Sequence, residues 1–376
     1  MSNIEINNIT CEVCQESNPH ESIFCKRCVS PINVQKISDY TTEDKQLIFT
    51  LLLEALAEKK HQHIQENNPI INSPFWEEYL NMYWLRPETA IWRTIEAEII
   101  TKRNCLQEPL LDLGCGDGIN VSILKGNKFS KEFDTFQCVK LDDKDIYNYA
   151  SQEYQPKLIT QTEKIACGID IKETLVQKTK QLQTYHQVLR GDIHHIPCEN
   201  QQFQTVYSNV IKDFADVQPI LKEVNRVLKQ HGQLVLTTPN HNFKKNLYFI
   251  NQAHKLLEAG QTEKAQKYIE YDRGRSIYSA TQKNKEEWTT ELQQAGFRVK
   301  ETITYITPQL TKLFDIGTRS FSVDLIQKYH NALKENNGSV MKELSISFIK
   351  AAFEVYLDQI EDENGSFMLI IAEKIE

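Results

Sequence analysis

The stretch LLDLGCGDGINVSIL, residues 110–124, decides the fold predicted for this 376-residue chain. It begins with apolar residues typical of a buried strand and ends in a helical pattern. Between these, Gly114, Gly116 and Gly118 let the backbone turn tightly and let a ligand approach it, because glycine has no Cβ. A dinucleotide fingerprint is excluded because Ile119 stands where its last glycine would be, and a phosphate loop is excluded because no Gly-Lys-Ser/Thr follows.

Strand and helix patterns alternate after this turn. The strand patterns lie at residues 109–114, 165–170, 187–192, 204–209, 232–239, 297–306 and 366–375. The clearest helical pattern covers residues 216–232 and ends at a glycine, which is a common helix stop. This alternation predicts an α/β fold in which helices cover both faces of a parallel sheet.

Five ordered segments give this region a family resemblance. They are LDLGCGDG (111–118), GID (168–170), GDIHHIP (191–197), FQTVYSN (203–209) and EVNRVLKQHGQLVLTTPN (223–240). With these segments, residues 109–240 resemble the S-adenosylmethionine-binding core of class I methyltransferases, and most of all the small-molecule methyltransferases that include quinone-biosynthesis enzymes. The resemblance implies a Rossmann-like seven-stranded methyltransferase sheet with helical insertions.

The resemblance also implies roles for residues at the first two strands. Gly114 and Gly116 should bring the loop backbone under the methionyl part of the cofactor. Asp112 should orient that loop and, through water, the cofactor's amino group. Asp170 should accept hydrogen bonds from both ribose hydroxyls. The alternative role for an aspartate at such a position is a helix or turn cap.

Further roles are implied after the third and fourth strands. Asp192 should accept from the adenine amino group, with the backbone of Ile193 beside the ring. Asn209 should lie near the methyl-donating side. If the acceptor must lose a proton, Asp213 and His241 are candidate bases by position alone. Methyl transfer from an activated sulfonium otherwise requires mainly alignment in a dry pocket.

The sequence departs from the family pattern in three places. About 50 residues separate the first motif from Asp170, where the family has about twenty, so residues 126–164 are predicted to be an insertion. After the fourth strand the family often has a Glu-His pair, whereas here Asp213 is the nearest acid. Roughly 60 residues separate the last two strands, which usually form a tight hairpin.

Two cysteine pairs near the N-terminus predict a small zinc ribbon. Cys11, Cys14, Cys25 and Cys28 form C-x-x-C pairs at a spacing that a short hairpin can close around one tetrahedral ion. Because all four positions are cysteine, the zinc should be structural and not catalytic. The alternatives are a redox pair or two chance pairs. Ribbons of this kind often contact other macromolecules, so a protein partner is a further expectation.

These observations predict three regions along the chain. They are a zinc ribbon at 1–36, a helical linker with N-terminal cap helices at 37–104, and a methyltransferase domain at 105–376 with insertions at about 126–164, 241–285 and 308–361. In the second region, Trp76, Tyr79, Tyr83 and Trp84 either line a substrate pocket or form a packed helix, and Arg86 is a candidate for the cofactor carboxylate.

The amino-acid composition favours some classes of function over others. A net charge of −8 disfavours nucleic-acid binding, which requires a basic face. From the sequence we expect no secretory signal and no membrane span, and nine cysteines then point to the reducing cytoplasm. The sequence therefore predicts a cytoplasmic enzyme that transfers a methyl group from S-adenosylmethionine to a small molecule, on oxygen, nitrogen or carbon. The alternatives are an RNA or ribosome-associated methyltransferase that docks through its ribbon, or a non-catalytic protein that binds the cofactor.

Overall fold

A seven-stranded sheet forms the centre of the protein. The computed structural model describes residues 8–34, 39–60, 70–141, 154–278 and 282–375. The strands are β1 (Asn8–Thr10), β2 (Ser17–Pro19), β3 (Leu110–Leu113), β4 (Lys128–Phe129), β5 (Leu158–Thr160), β6 (Ile165–Asp170), β7 (Tyr185–Arg190), β8 (Phe203–Ser208), β9 (Leu228–Pro239), β10 (Phe297–Tyr305) and β11 (Phe367–Lys374).

Helices flank this sheet along the whole chain. They are α1 (Thr42–Lys60), α2 (Pro74–Tyr83), α3 (Pro87–Arg103), α4 (Ile119–Leu124), α5 (Glu173–Leu182), α6 (Gln218–Val227), α7 (Asn242–Asn246), α8 (Tyr248–Glu258), α9 (Thr262–Asp272), α10 (Arg275–Tyr278), α11 (Lys285–Gln294), α12 (Pro308–Ile316), α13 (Ser322–Lys334) and α14 (Gly338–Phe353). Short 3₁₀ turns occur at Thr135–Cys138 and Ile211–Asp213, among other places. None of the described helices is long and apolar enough to cross a membrane.

The strand order in the sheet is β10-β11-β9-β8-β3-β6-β7. Strands β7, β6, β3, β8 and β9 are parallel neighbours, whereas β11 runs antiparallel to both β9 and β10. This confirms the predicted α/β fold with a seven-stranded methyltransferase sheet, and it shows that the sheet is mixed. The last two strands pair with each other although three helices separate them in the sequence.

Burial explains why these segments form central strands. All four residues of β3 are buried, and parallel strands need apolar residues on both faces because helices cover both. On one face, α6 and α11 pack against the sheet in a core that includes Val224 and Trp288. On the other face, the core contains residues of α1, α2, α3 and the helices after β10, including Trp76, Ile95 and Leu313.

One predicted helix is too long. The pattern over residues 216–232 predicts a helix to Gly232, but α6 ends at Val227 and β9 begins at Leu228. Leu228 is buried and pairs with Phe203 of β8, so strand pairing outweighs the local polar pattern. His231, with a φ of 60°, then provides a bend before the regular part of the strand.

The predicted insertions contain regular structure. Within 126–164, β4 and β5 form an antiparallel pair, and residues 142–153 lie outside the described part. Helices α7 to α10 lie within 241–285, and α12 to α14 lie within 308–361. Helices α1 to α3 occupy the predicted linker and cap region, of which residues 37–38 and 61–69 are not described.

The N-terminal segment, residues 8–34, is called the ribbon below. Strands β1 and β2 form an antiparallel pair that carries two of the four cysteines in the turn between them. Cys11, Cys25 and Cys28 are buried together with Ile32. The ribbon is not separate from the sheet, because Ile171, the residue after β6, packs against this cysteine cluster.

Candidate active site

The predicted cofactor residues converge at one edge of the sheet. Parallel strands β3, β6, β7 and β8 end there, and the chain order changes direction at β3, between β6 and β8. Ligands of open α/β sheets bind at such a switch point, outside the carboxyl ends of the strands. Asp112, Asp170, Asp192 and Asn209 all lie at or within two residues of these strand ends.

The glycine-rich turn after β3 leaves open space at one position. Gly114 and Gly116 both have positive φ angles, 81° and 58°. A Cβ atom on Gly114 would lie 2.3 Å from Cγ2 of Val210, so this glycine is required by packing. A Cβ on Gly116 would meet nothing within 4 Å. The backbone at Gly116 therefore faces a cradle that a ligand can fill.

Asp170 holds this turn in place. Its carboxylate accepts hydrogen bonds from the backbone N–H of Gly116 at 3.0 Å and of Lys172 at 2.8 Å. The side chain is largely buried, and burial raises the pKa of Asp170 above its usual value. Each carboxylate oxygen has a second lone pair, so both can also accept from a diol.

Two more carboxylates lie close to Asp170. Asp112 is 3% exposed and accepts a hydrogen bond from the Tyr185 hydroxyl at 2.7 Å. Burial, and next the negative charges of Asp170 and Asp117, raise the pKa of Asp112 to about 7. Burial also raises the pKa of Asp117, whose carboxylate accepts from the backbone of Ile119 at 3.2 Å. Three partly desolvated acids around an open cradle suit a cationic ligand.

Asp192 lies two residues after β7, and both of its carboxylate oxygens have hydrogen-bond partners. Oδ1 accepts from the backbone N–H of His194 at 3.0 Å and lies 2.8 Å from its ring Nδ1, while Oδ2 accepts from Arg27 Nε at 3.2 Å. Burial opposes ionisation, but the His194 and Arg27 contacts hold the pKa of Asp192 below its usual value. Ile193 is buried beside it, and the His194 ring packs edge-on against Phe214.

The remaining predicted residues are Asn209 and the two candidate bases, Asp213 and His241. Asn209 follows β8 directly and stays partly accessible. Both carboxylate oxygens of Asp213 accept from Lys212 Nζ, at 2.8 and 2.9 Å, so its charge is already compensated. His241 is exposed at the start of α7. The role of Asp213 and His241 as bases stays a prediction.

Comparisons with known proteins agree with this geometry. Residues 147–296 match a family model described as a methyltransferase domain. The chain carries an S-adenosylmethionine-dependent methyltransferase domain. The matched range begins after the glycine-rich turn and includes Asp170, Asp192 and Asn209.

Solved structures of low sequence identity are similar to this methyltransferase. A SAM-dependent methyltransferase of Thermotoga maritima has 14% identity and a TM-score of 0.41, over 81% of this chain and 98% of that one. The YcgJ protein of Bacillus subtilis has 13% identity and a TM-score of 0.37, over 75% and 99%. A SAM-dependent methyltransferase of Aquifex aeolicus has 17% identity and a TM-score of 0.32, over 56% and 83%. No curated protein sequence matches the chain.

A buried polar network connects the helices above the sheet to the cofactor turn of the methyltransferase. Asn120, the second residue of α4, accepts from the Tyr79 hydroxyl of α2 at 2.9 Å and donates to the Tyr207 hydroxyl of β8 at 3.3 Å. Tyr207 donates in turn to Glu96 of α3 at 2.9 Å. The sequence identified Tyr79 only as part of an aromatic segment and gave Asn120 and Glu96 no role.

Glu96 is the centre of this network. Its carboxylate accepts from Tyr207, from Tyr305 at 2.8 Å and from Arg93 Nη1 at 2.8 Å. Glu96 is 3% exposed, whereas the side chain of Arg93 retains 25% exposure. Burial disfavours the Arg93 charge, but Glu96 and the neighbouring tyrosines raise the pKa of Arg93 above its usual value. A permanent positive charge therefore lies at the partly accessible end of an otherwise closed network.

The aromatic segment is packed in the core, as one of its two predicted roles requires, and a role in a substrate pocket stays a prediction. Trp76 is buried and donates to Glu354 at 3.0 Å, and Trp84 is buried and donates to Asp134 at 2.7 Å, so both belong to packing. Tyr79 is also buried and donates to Asn120 of α4, the helix after the glycine-rich turn. Arg86 precedes α3, and its predicted contact with the cofactor carboxylate stays a prediction.

The four predicted metal ligands come together in the ribbon. Sγ of Cys11 lies 3.6 Å from that of Cys28, Sγ of Cys14 lies 3.5 Å from that of Cys25, and all four sulfurs lie within 4.8 Å of one another. Four thiolates at about 2.3 Å from one zinc ion are about 3.8 Å apart in a tetrahedron. The sulfur positions therefore fit a tetrahedral zinc ion.

Proposed function

We propose that this methyltransferase transfers the methyl group to a small-molecule acceptor, on oxygen, nitrogen or carbon. The observation that carries this proposal is the hydrogen bond between Tyr79 and Asn120, which joins α2 to α4, the helix that follows the glycine-rich turn. With the buried Tyr207, Tyr305 and Glu96 it forms a closed polar network beside that helix, and we infer that this network covers one side of the cofactor site. A roofed site of this kind suits a small molecule better than a polymer.

The residues of the site have separate tasks in this proposal. S-adenosylmethionine supplies an activated methyl group on a sulfonium when it is bound. Asp170 binds the ribose hydroxyls, Asp192 binds the adenine amino group, and Asp112 with Asp117 balances the ligand's positive charge. The roof formed by α2 and α3 excludes water, which strengthens these charge interactions.

Arg93 is the charged group of this network that keeps some solvent access. Its guanidinium is held by Glu96 and keeps a partly accessible face. A planar guanidinium binds carboxylates through two parallel hydrogen bonds. We therefore propose that Arg93 binds a carboxylate of either the cofactor or the acceptor.

The test is transfer of labelled methyl groups by the full-length, metal-loaded protein. A mixture of small metabolites, total RNA and total protein would each be offered as acceptors. We expect label in the small-molecule fraction, and none from Gly116→Val, whose new side chain fills the cradle. Label in RNA would instead support an RNA methyltransferase, and cofactor binding without transfer to any fraction would support a non-catalytic role.

We also propose that the ribbon binds one structural zinc ion through Cys11, Cys14, Cys25 and Cys28. The support is the sulfur geometry together with hydrogen bonding at Cys25, whose Sγ accepts from the backbone N–H of Arg27 at 3.4 Å. With four protein ligands, no coordination position is left for a substrate. Elemental analysis of the purified protein should give one zinc per chain, and Cys28→Ser should reduce it. The cysteine-rich ribbon also supports a location in the reducing cytoplasm.

A further inference from the structure

The ribbon contacts the predicted adenine end of the cofactor site. Arg27, in the turn between Cys25 and Cys28, forms an ion pair with Asp192 at 3.2 Å. Ile171, directly after the predicted ribose ligand Asp170, packs against the cysteine cluster. Asp192 is therefore in contact with the ribbon, and Asp170 is next to a residue that contacts it.

The position of Arg27 depends on the geometry of the cysteines. Its backbone N–H donates to Cys25 Sγ, and the preceding Lys26 donates from its backbone to Asn18 at 2.8 Å. Asn18 is buried in the ribbon and also donates to Cys25 Sγ at 3.7 Å. The turn that presents the guanidinium is thus built around one of the proposed zinc ligands.

The ribbon is also held on a second side. A Cβ on Gly274, after α9, would come within 3.0 Å of Ile23 and of Phe24. Val29 packs from the ribbon against the core on the α6 face of the sheet. Contacts at Ile171, Asp192 and Gly274 together fix the ribbon across the edge of the sheet, in one defined place.

We propose that the ribbon forms the outer wall of the adenosyl site, with Arg27 as a positioning residue that fixes the orientation of the Asp192 carboxylate. Zinc loading of the ribbon then determines the affinity for the cofactor. This inference rests on the proposed function, because it takes Asp192 as the group that receives the adenine amino hydrogen. A carboxylate has about four lone-pair sites, so Asp192 can accept from Arg27, His194 and a ligand together.

The neighbouring lysine provides a matched control. Lys26 is in the same turn, is 62% exposed, and pairs with Glu16 at 3.0 Å instead of contacting the cofactor edge. The Arg27 and Asp192 side chains keep 44% and 26% exposure, so their ion pair is of the weaker, solvent-screened kind. We therefore expect Arg27→Ala to weaken ligand binding by about fivefold, which is the upper end for a screened ion pair.

The experiment measures binding of S-adenosylhomocysteine to the full-length, zinc-loaded protein by calorimetry. Arg27→Ala should raise the Kd about fivefold, Lys26→Ala should leave it unchanged, and Arg27→Lys should restore part of the loss. In turnover, Arg27→Ala should raise KM for S-adenosylmethionine with little change in kcat. In an Asp192→Ala background the effect of Arg27→Ala should disappear, which a merely structural role would not produce.

Zinc removal is the second arm. The chelated protein should bind S-adenosylhomocysteine more weakly than the zinc-loaded protein, and thermal unfolding should show that the methyltransferase domain is still folded. Equal affinity with and without zinc would overturn the coupling, as would an Arg27→Ala protein that binds as well as Lys26→Ala. Tighter binding by Arg27→Ala would show that Arg27 competes with the adenine. If the wild type itself does not bind, the proposed function fails and not this inference alone.

Discussion

Replacing Asp112 with asparagine tests the electrostatics of the cofactor turn most directly. The pKa of Asp112 is raised from 3.8 to about 7 in the folded protein, mainly by burial. Between these values the folded state keeps a proton that the unfolded state has released. The free energy of unfolding therefore falls as pH rises from about 4 to about 7, and the stabilising effect of this proton is fully lost above that.

The structure also sets the size of the expected effect. One pKa unit corresponds to about 1.36 kcal/mol, so the interval from pH 5 to a pKa of about 7 corresponds to about 3 kcal/mol. Asparagine has nearly the same shape, does not titrate, and can still accept the hydrogen bond from Tyr185. Asp112→Asn should thus gain up to about 3 kcal/mol over the wild type between pH 5 and pH 8.

Two measurements check this expectation. Denaturant unfolding of both ligand-free proteins from pH 5 to pH 8.5, at constant zinc, gives the difference in unfolding free energy. Calorimetry gives the affinity for S-adenosylmethionine, which should rise with pH through about 7 in the wild type, because a cation favours ionised Asp112. Asp112→Asn should bind more weakly and lack this dependence. Parallel stability profiles for the two proteins would refute the reasoning.

Four further changes have distinct expected outcomes. Gly116→Val should abolish cofactor binding in a folded protein, because it fills open space, although its positive φ costs about 1–2 kcal/mol; calorimetry and circular dichroism separate the two effects. Gly114→Ala should instead destabilise the fold by about 1–3 kcal/mol through overlap with Val210, as unfolding will show. Glu96→Ala should cost about 3–5 kcal/mol, because it leaves the buried hydroxyls of Tyr207 and Tyr305 without an acceptor and Arg93 without its ion-pair partner; an unchanged melting temperature would contradict this. Chelation should release a single zinc ion per chain and lower the melting temperature, as a colorimetric zinc assay and a thermal scan will test.

Local patterns were enough to predict the sheet, and the family resemblance added the residues of the proposed cofactor edge. All seven strand segments predicted from the sequence are strands of the central sheet, because apolar runs between turn residues specify buried strands without long-range information. Asp112, Asp170 and Asp192 lie at the same sheet edge for the same reason, since parallel strands bring their carboxyl ends together. The four cysteines were predictable because a metal site requires only ligand type and spacing.

Contacts between distant segments were not predictable in this way. Glu96 and Tyr305 are separated by 209 positions, and nothing near either residue indicates the other. The available signal was a carboxylate on the face of α3 that also carries buried Trp92 and Ile100, where a charge requires partners. Arg27 and Asp192 are 165 positions apart, and no local pattern predicts that the ribbon packs on the cofactor edge.

The three carboxylates at the turn also bear on product release. Asp112, Asp117 and Asp170 lie close enough to oppose one another's ionisation, a cost that a cationic ligand reduces. Methyl transfer converts a sulfonium into a neutral thioether, so the product compensates these carboxylates less well than the reactant does. The same charges that favour the methyl donor therefore weaken the hold on its product. We expect S-adenosylmethionine to gain more affinity than S-adenosylhomocysteine as pH rises through about 7, since ionised Asp112 distinguishes them by charge alone.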